Sequence, residues 1–202
     1  GTAGNDTVGG FGSDDTLNGG DGDDLINGHG GDDSLVGGRG DDELRGSPGN
    51  DTLRGWGGDD TLRGYNDDDV MAGNQGDDVL VGNKGEDQLY GNDGDDSLNG
   101  GIGHDTLFGG AGQDTLTGWA WGDVFGFEED DALPGDTITD FRPGQDVIQL
   151  SLPEIRGLED LRFSTRNGGV VISLGAQGSI FLQGELSVSA VAQSRNFEFL
   201  SV

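Results

Sequence analysis

The chain has 202 residues, no cysteine and a formal net charge of −29, and 43 of its residues are glycine. The lack of cysteine excludes a disulfide framework, and so acidic a surface repels nucleic acid. No apolar run approaches the length of a membrane span. Such a composition is typical of disorder unless a partner neutralises the carboxylates, and a divalent cation is the obvious partner.

A nine-residue unit organises the chain from Gly1. Residues 1–117 are thirteen consecutive copies without insertion or deletion, and a damaged fourteenth copy follows at Gly118–Gly126. Position one is Gly and position eight is apolar in every copy, as in Gly37 and Leu44. Position six is always Asp: Asp6, Asp15, Asp24, Asp33, Asp42, Asp51, Asp60, Asp69, Asp78, Asp87, Asp96, Asp105, Asp114 and Asp123. A repeat this regular predicts a solenoid before any local propensity is considered.

Each unit predicts a turn and a very short strand. Gly and Asp in the first six positions favour turns, and the last three residues alternate polar, apolar, polar, as in Glu43–Arg45. Two units form one coil, so strands eighteen residues apart stack in parallel, about 4.8 Å apart. The stacked turns then place the position-six carboxylates in two rows. Because like charges repel at this spacing, we expect Ca²⁺ between them; Mg²⁺, which demands strict octahedral geometry, fits less well.

The unit resembles the Gly-Gly-x-Gly-x-Asp-x-apolar-x nonapeptide of the RTX (repeats-in-toxin) family over about residues 1–126. The resemblance implies a right-handed parallel β-roll that binds Ca²⁺ between turns two repeats apart. It implies that the ligands are the position-six Asp residues and turn carbonyls, including those of position four: Gly22, Gly31, Gly40, Gly49, Gly58, Gly76, Gly85, Gly94 and Gly103. The oxygen count that Ca²⁺ needs then allows about twelve ions at most, and folding free energy becomes largely metal-binding free energy.

Some positions depart from the pattern. Position four is Ser13, Asp67 or Trp121 in three copies, and Gly64–Ala72 is the weakest interior repeat, which puts its ion site in doubt. The acids at position five are interpreted as solvent-facing charge. A purely turn-forming role for the position-six column is disfavoured, because Asn or Ser would serve such turns equally well.

Beyond Gly118 the sequence becomes richer in apolar and β-branched residues. We therefore predict an all-β chain with two domains, the β-roll (1–126) and an antiparallel β cap (127–202). The strand-like runs of the cap region are 124–127, 137–141, 146–150, 161–164, 170–174, 179–182 and 197–200. Helical turns are predicted at Leu152–Pro153 and within Ser187–Gln193. Trp119 and Trp121 are expected to close the open end of the solenoid.

The cap segment Asp136–Ser151 resembles the region after the repeats in secreted RTX proteins such as serralysin-type proteases and alginate epimerases. This resemblance implies that the cap helps the roll to nucleate and that Arg195–Val202 is an uncleaved type I secretion signal, the alternative being a last strand and nothing more. It implies a secreted bacterial segment of a longer protein. Four acids, Asp123, Asp136, Asp140 and Asp146, are interpreted as solvated loop residues rather than a further ion site.

The sequence offers no convincing catalytic site. His29 and His104 fall in turns far apart, and neither His-Glu-x-x-His nor Gly-x-Ser-x-Gly occurs. Any catalytic domain is expected to lie outside this chain. The main interpretation is a calcium-binding module that folds outside the cell and supports type I secretion and stability of a larger protein. The alternatives are an alginate-like polysaccharide-binding module using Arg45 and Arg63, for which scattered surface charge is the favoured explanation, and the terminal segment of an adhesin.

Overall fold

The computed structural model describes residues 1–128, 133–166 and 168–200, and for residues 133 and 134 it describes the backbone. These residues form an almost entirely β structure with one four-residue helix, α1 (Val188–Val191), and 3-10 turns at Leu158–Asp160, Gly175–Gln177 and Ser194–Asn196. The strands are β1 (Thr7–Gly9), β2 (Thr16–Asp21), β3 (Leu25–Asn27), β4 (Ser34–Arg39), β5 (Glu43–Pro48), β6 (Thr52–Gly57), β7 (Thr61–Asn66), β8 (Val70–Gln75), β9 (Val79–Lys84), β10 (Gln88–Asp93), β11 (Ser97–Ile102), β12 (Thr106–Ala111), β13 (Thr115–Ala120), β14 (Val124–Glu128), β15 (Leu133–Ile138), β16 (Val147–Ser151), β17 (Arg162–Arg166), β18 (Gly169–Ser173), β19 (Gly178–Gln183) and β20 (Phe197–Phe199). Among the described residues, no helix has the length and apolar character needed to cross a membrane.

The repeats form two parallel sheets that alternate along the chain. Odd-numbered strands from β1 to β15 lie in one sheet and even-numbered strands from β2 to β16 in the other. Leu44 pairs with Ile26 on one side and with Leu62 on the other, so the register advances by eighteen residues per coil. The predicted parallel β-roll, with two nonapeptides per coil, is confirmed.

The strands of the roll are longer than the three residues predicted. Most span six residues, from position seven of one repeat to position three of the next, as in β5. In β5, Leu44 and Gly46 are buried while Glu43 and Arg45 are half-buried, so the inward–outward alternation continues through position one. The hydrophobic pattern does not reveal this extension, because an inward Gly carries no side chain that would continue the apolar alternation.

The core of the roll is a column of position-eight side chains, two from each coil and one from each sheet. Every member from Ile26 to Phe125 is buried, and Val8 and Leu17 at the N-terminal end are partly covered. The column continues without a break into the cap through residues such as Ile138 and Ile148. Each coil buries its two apolar residues only by stacking on its neighbours, as in other repeat proteins.

The cap extends both sheets of the roll before it turns antiparallel. β14, β16 and β20 continue one sheet in parallel, and β15 and β19 continue the other. Among the strands of the described residues, only β17, β18 and β19 pair antiparallel. The predicted strand runs agree with the observed ones to within a few residues. Ser187 caps α1 by accepting a hydrogen bond from Ala190 N at 3.2 Å, whereas the segment that begins at Leu152 forms a hydrogen-bonded turn and not a helix.

The expectation that Trp119 and Trp121 close the end of the roll is wrong. Their side chains are 62% and 61% exposed, because both residues occupy turn positions with positive φ that direct side chains outward. The end is covered instead by the cap, where Phe141 packs on the buried Phe125 with ring centroids 6.3 Å apart. The prediction rested on the replacement of turn residues by Trp, which does not show on which side of the turn the side chains lie.

Candidate metal centre

The position-six Asp residues form two rows, one along each edge of the roll. The first carboxylate row contains Asp6, Asp24, Asp42, Asp60, Asp78, Asp96 and Asp114, and the second contains Asp15, Asp33, Asp51, Asp69, Asp87, Asp105 and Asp123. In both rows each backbone N–H donates a hydrogen bond of 2.6 to 3.2 Å to Oδ1 of the next Asp in the row, which lies one coil later, and the cap supplies the last acceptor of each row. From Asp24 onward every member is buried, so the rows are internal features of the stack.

The second oxygen of these carboxylates lacks a hydrogen-bond partner over most of the roll. Among the described residues, this holds for the Oδ2 of Asp24, Asp33, Asp42, Asp51, Asp60, Asp69, Asp78, Asp87, Asp96 and Asp105. A buried ionised oxygen without a partner is unfavourable. The rows therefore present a regular series of buried anionic oxygens that require a cation or a proton.

Burial raises the pKa of the row carboxyl groups from Asp33 to Asp105, and it is the largest effect at each of these groups. The N–H donor from the preceding coil lowers the pKa and partly opposes burial, while the neighbouring acids raise it further. The pKa rises to about 6 for Asp42, Asp51, Asp78 and Asp87, to about 7 for Asp60 and Asp105, and to about 8 for Asp69 and Asp96. At neutral pH and without metal, ionised carboxylates in the middle of the roll therefore destabilise the folded state.

The invariant Gly at position one makes room for the unpartnered oxygen. A Cβ on Gly10 would lie 2.5 Å from Asp15 Oδ2 and 2.6 Å from the carbonyl oxygen of Gly28, distances that no real Cβ tolerates. None of the position-one glycines from Gly10 to Gly118 has positive φ, so their requirement is steric and not conformational. The turn geometry that was predicted to explain this column of glycines is therefore not its cause, and the steric role beside the carboxylate was not predicted.

Positive φ is concentrated instead at positions two and four of the turns. Gly40 has φ 114°, and a Cβ there would lie 2.5 Å from the carbonyl oxygen of Gly22, in the turn one coil earlier. The same arrangement recurs at the other position-four glycines predicted as ligands, so their carbonyl groups face the next turn at the edge of the roll. Non-glycine residues with positive φ in the roll, such as Trp56 and Asn74, are confined to these two positions.

The chemistry of this donor set fits Ca²⁺. The available atoms are carboxylate and carbonyl oxygens, which are the ligands that Ca²⁺ prefers in variable geometry. In the described residues no group of three or more His, Cys, Asp or Glu side chains is placed to hold a metal by itself. An ion in a turn would therefore take its oxygens from one or two Asp side chains together with the backbone.

The weakest interior repeat keeps the geometry of the others. Asp69 Oδ1 accepts the N–H of Asp51 at 2.8 Å, and Asp67 adopts φ 71° in place of the usual position-four Gly. The turn of Gly85 stacks directly over the carbonyl group of Asp67. The substitution thus leaves the local oxygen arrangement intact.

The acids at position five are exposed, as predicted, but they also form a second hydrogen-bond ladder. Asp41 Oδ1 accepts the N–H of Asp59 at 2.9 Å, and Asp59 Oδ1 accepts the N–H of Asp77 at 2.9 Å. Here the acceptor belongs to the earlier coil, so this ladder runs in the opposite sense to the position-six ladder. Consecutive coils therefore hold each other by reciprocal bonds, a role that composition could not indicate.

The interpretation of Asp123, Asp136, Asp140 and Asp146 as solvated is wrong for three of them, since Asp123 is buried in the second row and two more are buried in the cap. Asp136 and Asp146 are each 1% exposed and extend the carboxylate rows, because their Oδ1 atoms accept the N–H groups of Asp114 and Asp123 at 3.1 and 3.2 Å. They follow their predecessors by 22 and 23 residues rather than 18, which hid the continuation. Asp140 accepts the N–H groups of Gly118 at 3.0 Å and Trp119 at 2.7 Å.

Asp123, predicted as a metal ligand, ends the second carboxylate row differently from its predecessors. Its Oδ2 lies 3.0 Å from Nη2 of Arg142, a cap residue. The buried position-six Asp residues from Asp24 to Asp105 form no ion pair with a Lys, Arg or His side chain among the described residues.

The two arginines proposed for polysaccharide binding lie side by side on β5 and β7, as predicted. Both are paired with Glu43, whose Oε1 lies 2.9 Å from Arg45 Nη2 and 2.9 Å from Arg63 Nη1. One carboxylate therefore partly neutralises both guanidinium groups. His29 and His104 occupy exposed turns of different coils, and His104 Nδ1 lies 2.8 Å from the carbonyl oxygen of Gly122.

The fold and the oxygen rows together define a parallel β-roll whose turns are built for hard divalent cations. Residues 1–26, 9–44, 36–71, 72–107 and 99–120 match the model of the RTX calcium-binding nonapeptide repeat (4 copies). The chain therefore belongs to the RTX calcium-binding nonapeptide repeat family, and its repeat region is a calcium-binding structural module.

Among solved structures, the extracellular lipase LipA from Serratia marcescens shares the fold, with a TM-score of 0.51 and 20% identity over 89% of this chain. The chain spans 40% of the length of that lipase. The AlgE6R3 subunit of the mannuronan C5-epimerase from Azotobacter vinelandii is 32% identical over 66% of this chain and 78% of its own, with a TM-score of 0.26. The AlgE6R2 subunit is 30% identical over 64% of this chain and 92% of its own, with a TM-score of 0.32. No curated protein sequence matches the chain significantly.

Proposed function

We propose that this chain is a calcium-gated folding module that supports type I export and the extracellular stability of a larger protein. The observation that supports the proposal is the series of buried Oδ2 atoms without a hydrogen-bond partner in the two carboxylate rows. Without a cation these oxygens oppose formation of the roll at neutral pH, and with Ca²⁺ they become its ligands. Metal binding and folding are then a single event.

In this proposal, folding is controlled by the difference in free Ca²⁺ concentration between the two sides of the cell envelope. In the cytosol, where free Ca²⁺ is scarce, the rows repel and the chain stays loose enough to pass through an export channel. Outside, Ca²⁺ fills the turns between position-six carboxylates and position-four carbonyls, with about twelve ions as the upper limit that the ligand count allows. Family membership supports this direction of transport.

The C-terminal segment is the proposed export signal. Residues 197–199 form β20, which pairs with β16, and Phe197 is buried. Residues 201 and 202, the last of the proposed signal, lie outside the described residues. In the unfolded chain inside the cell this segment is free to be read by the export machinery, and outside it completes the sheet.

The test is far-UV circular dichroism of the chain in EDTA and then through a Ca²⁺ titration, with Mg²⁺ as the control ion. We expect a steep, cooperative gain of β signal with Ca²⁺ alone. A spectrum that is already β-rich in EDTA at pH 7.5, and that Ca²⁺ does not change, would show that the Asp rows only form turns.

A second candidate function is binding of an anionic polysaccharide. It is favoured by the register of β5 and β7, which places the guanidinium groups of Arg45 and Arg63 next to each other on one sheet. The shared contact with Glu43 weighs against it, because a polyuronate carboxylate would compete with a residue already in place. Arg45→Ser with Arg63→Ser should abolish retardation in alginate-containing gels, whereas Arg54→Ser on the opposite sheet should not. Equal mobility of all variants and the wild type would remove this candidate.

A further inference from the structure

At the last turn of the second carboxylate row, the second oxygen of the buried Asp has a hydrogen-bond partner that its buried equivalents in the earlier turns lack among the described residues. One coil earlier, Asp105 is buried and its Oδ2 has no hydrogen-bond partner among the described residues. At Asp123, the equivalent oxygen receives a hydrogen bond from Arg142 Nη2 at 3.0 Å. The position is the same in the repeat, but a side chain of the cap now supplies the positive charge.

The guanidinium group contacts the same kinds of oxygen that an ion in a turn would take. Besides Asp123, Arg142 Nη2 donates to Asp146 Oδ1 at 3.2 Å and to the carbonyl oxygen of Trp121. Asp123 and Asp146 are consecutive members of the row, and Trp121 occupies position four of its repeat. One nitrogen atom thus lies among two successive carboxylates and a position-four carbonyl.

The loop that carries Arg142 is held by protein contacts alone. The N–H of Arg142 donates to Asp146 Oδ2 at 2.6 Å, which leaves both oxygens of that carboxylate engaged. The N–H of Gly144 donates to Asn196 Oδ1 at 2.8 Å. Asn196 is completely buried and donates in turn to the carbonyl group of Val191 at 2.8 Å. These hydrogen bonds within the protein hold the loop, and with it the guanidinium group of Arg142, at the end of the second carboxylate row.

We propose that Arg142 takes the place of a calcium ion at the last turn, so that Asp123 and Asp146 close the second carboxylate row without metal. The oxygens of the earlier turns fit Ca²⁺. Those of the last turn do not, because the guanidinium group of Arg142 already lies between Asp123 and Asp146. The roll then binds one ion fewer than its turns suggest, and its C-terminal end is ordered in the absence of Ca²⁺. This inference rests on the calcium-binding roll proposed above.

The test compares Arg142→Gln with Arg156→Gln in the full chain. Arg156 is an exposed cap residue, so its replacement makes the same change in net charge away from the rows. Calcium stoichiometry is measured by isothermal titration calorimetry and by metal analysis after dialysis. We expect Arg142→Gln to gain one ion per chain, whereas Arg156→Gln and the charge-preserving Arg142→Lys keep the wild-type number. Equal stoichiometry in all three variants would overturn the proposal.

A second measurement decides the question if Arg142→Gln does not fold. Hydrogen exchange of the wild-type chain in EDTA should protect the amides of Asp123 and Arg142, which donate to Asp146, more than the amide of Asp60, which donates to Asp78. Equal exchange at these amides, or a Ca²⁺ ion bound to Asp123 in a crystal of the loaded protein, would refute the role of Arg142. Absence of Ca²⁺ binding in every turn would instead refute the proposed function.

Discussion

Replacing a position-one glycine by alanine should remove one ion site with a single methyl group. A Cβ on Gly55 would lie 2.7 Å from Asp60 Cγ, closer still to Asp60 Oδ2, and 2.8 Å from the carbonyl oxygen of Gly73. All three atoms belong to the crowded edge of the roll, and only the Asp60 side chain can move. In Gly55→Ala we therefore expect the carboxylate to leave its place in the first carboxylate row.

The expected loss has two parts. Overpacking of a well-packed site costs about 1–3 kcal/mol. Loss of one ion at a Ca²⁺ concentration a hundred times its dissociation constant removes about 2.7 kcal/mol more. The sum, about 4 to 6 kcal/mol, is a large part of the stability of an ordinary domain, which is about 5–15 kcal/mol.

The assay is urea unfolding at a fixed, saturating Ca²⁺ concentration, together with the calcium stoichiometry. Gly57→Ala is the matched control, since Gly57 lies in the same turn without positive φ and its Cβ would meet no atom closer than 4.0 Å. It should retain every ion and change stability by less than about 1 kcal/mol. If both variants lose the same stability and neither loses an ion, the glycine column does not serve the carboxylates.

Three further predictions follow from the turns. In EDTA burial holds the folded-state pKa of the row carboxyls from Asp33 to Asp105 above the ordinary value of 3.8, so the metal-free roll gains stability as pH falls from about 8 towards 4. Circular dichroism should show β structure at pH 4.5 that is absent at pH 8, and an unchanged spectrum would contradict this. Trp56→Gly should raise the melting temperature slightly or leave it unchanged, because the exposed Trp56 has φ 84°, a conformation that Gly adopts without strain. A fall of several degrees would show that the contacts of the Trp56 side chain stabilise the roll by more than its backbone strain destabilises it. Asp41→Ala should destabilise the loaded roll by about 1 kcal/mol without loss of an ion, since Asp41 accepts the N–H of Asp59 but belongs to neither row.

The periodicity of the sequence was sufficient to predict the register of the roll. A strict nine-residue repeat with one apolar position leaves only one stacking in which every Leu points inward, and the observed pairing of Leu44 with Leu62 follows from it. The placement of Asp42 between Asp24 and Asp60 is a consequence of the same register. These features depend on spacing alone, which a sequence displays directly.

The sequence could not predict the direction of a hydrogen-bond ladder, or which residues continue a carboxylate row once the nine-residue spacing ends. The sense of the position-five ladder depends on which oxygen faces which coil, and a string of Asp residues does not record that. Asp136 and Asp146 continue the rows after intervals of 22 and 23 residues, and Arg142 reaches back over 19 residues to Asp123. Once the repeat stops, contacts are set by the packing of the cap rather than by a period.

Because successive strands alternate between two sheets, removal of an even number of repeats and removal of an odd number have different effects on the roll. The unit of sequence is nine residues, but the unit of structure is the pair, because strands in one sheet recur every eighteen residues. Removal of 46–63 would preserve the faces of all remaining repeats. Removal of 46–54 alone would send Arg45 and Arg63 to opposite sheets and separate Glu43 from Arg63. A chain of this kind can therefore change its length in even steps without disturbing its surfaces, whereas every odd step exchanges the two faces of all the repeats on one side of the change.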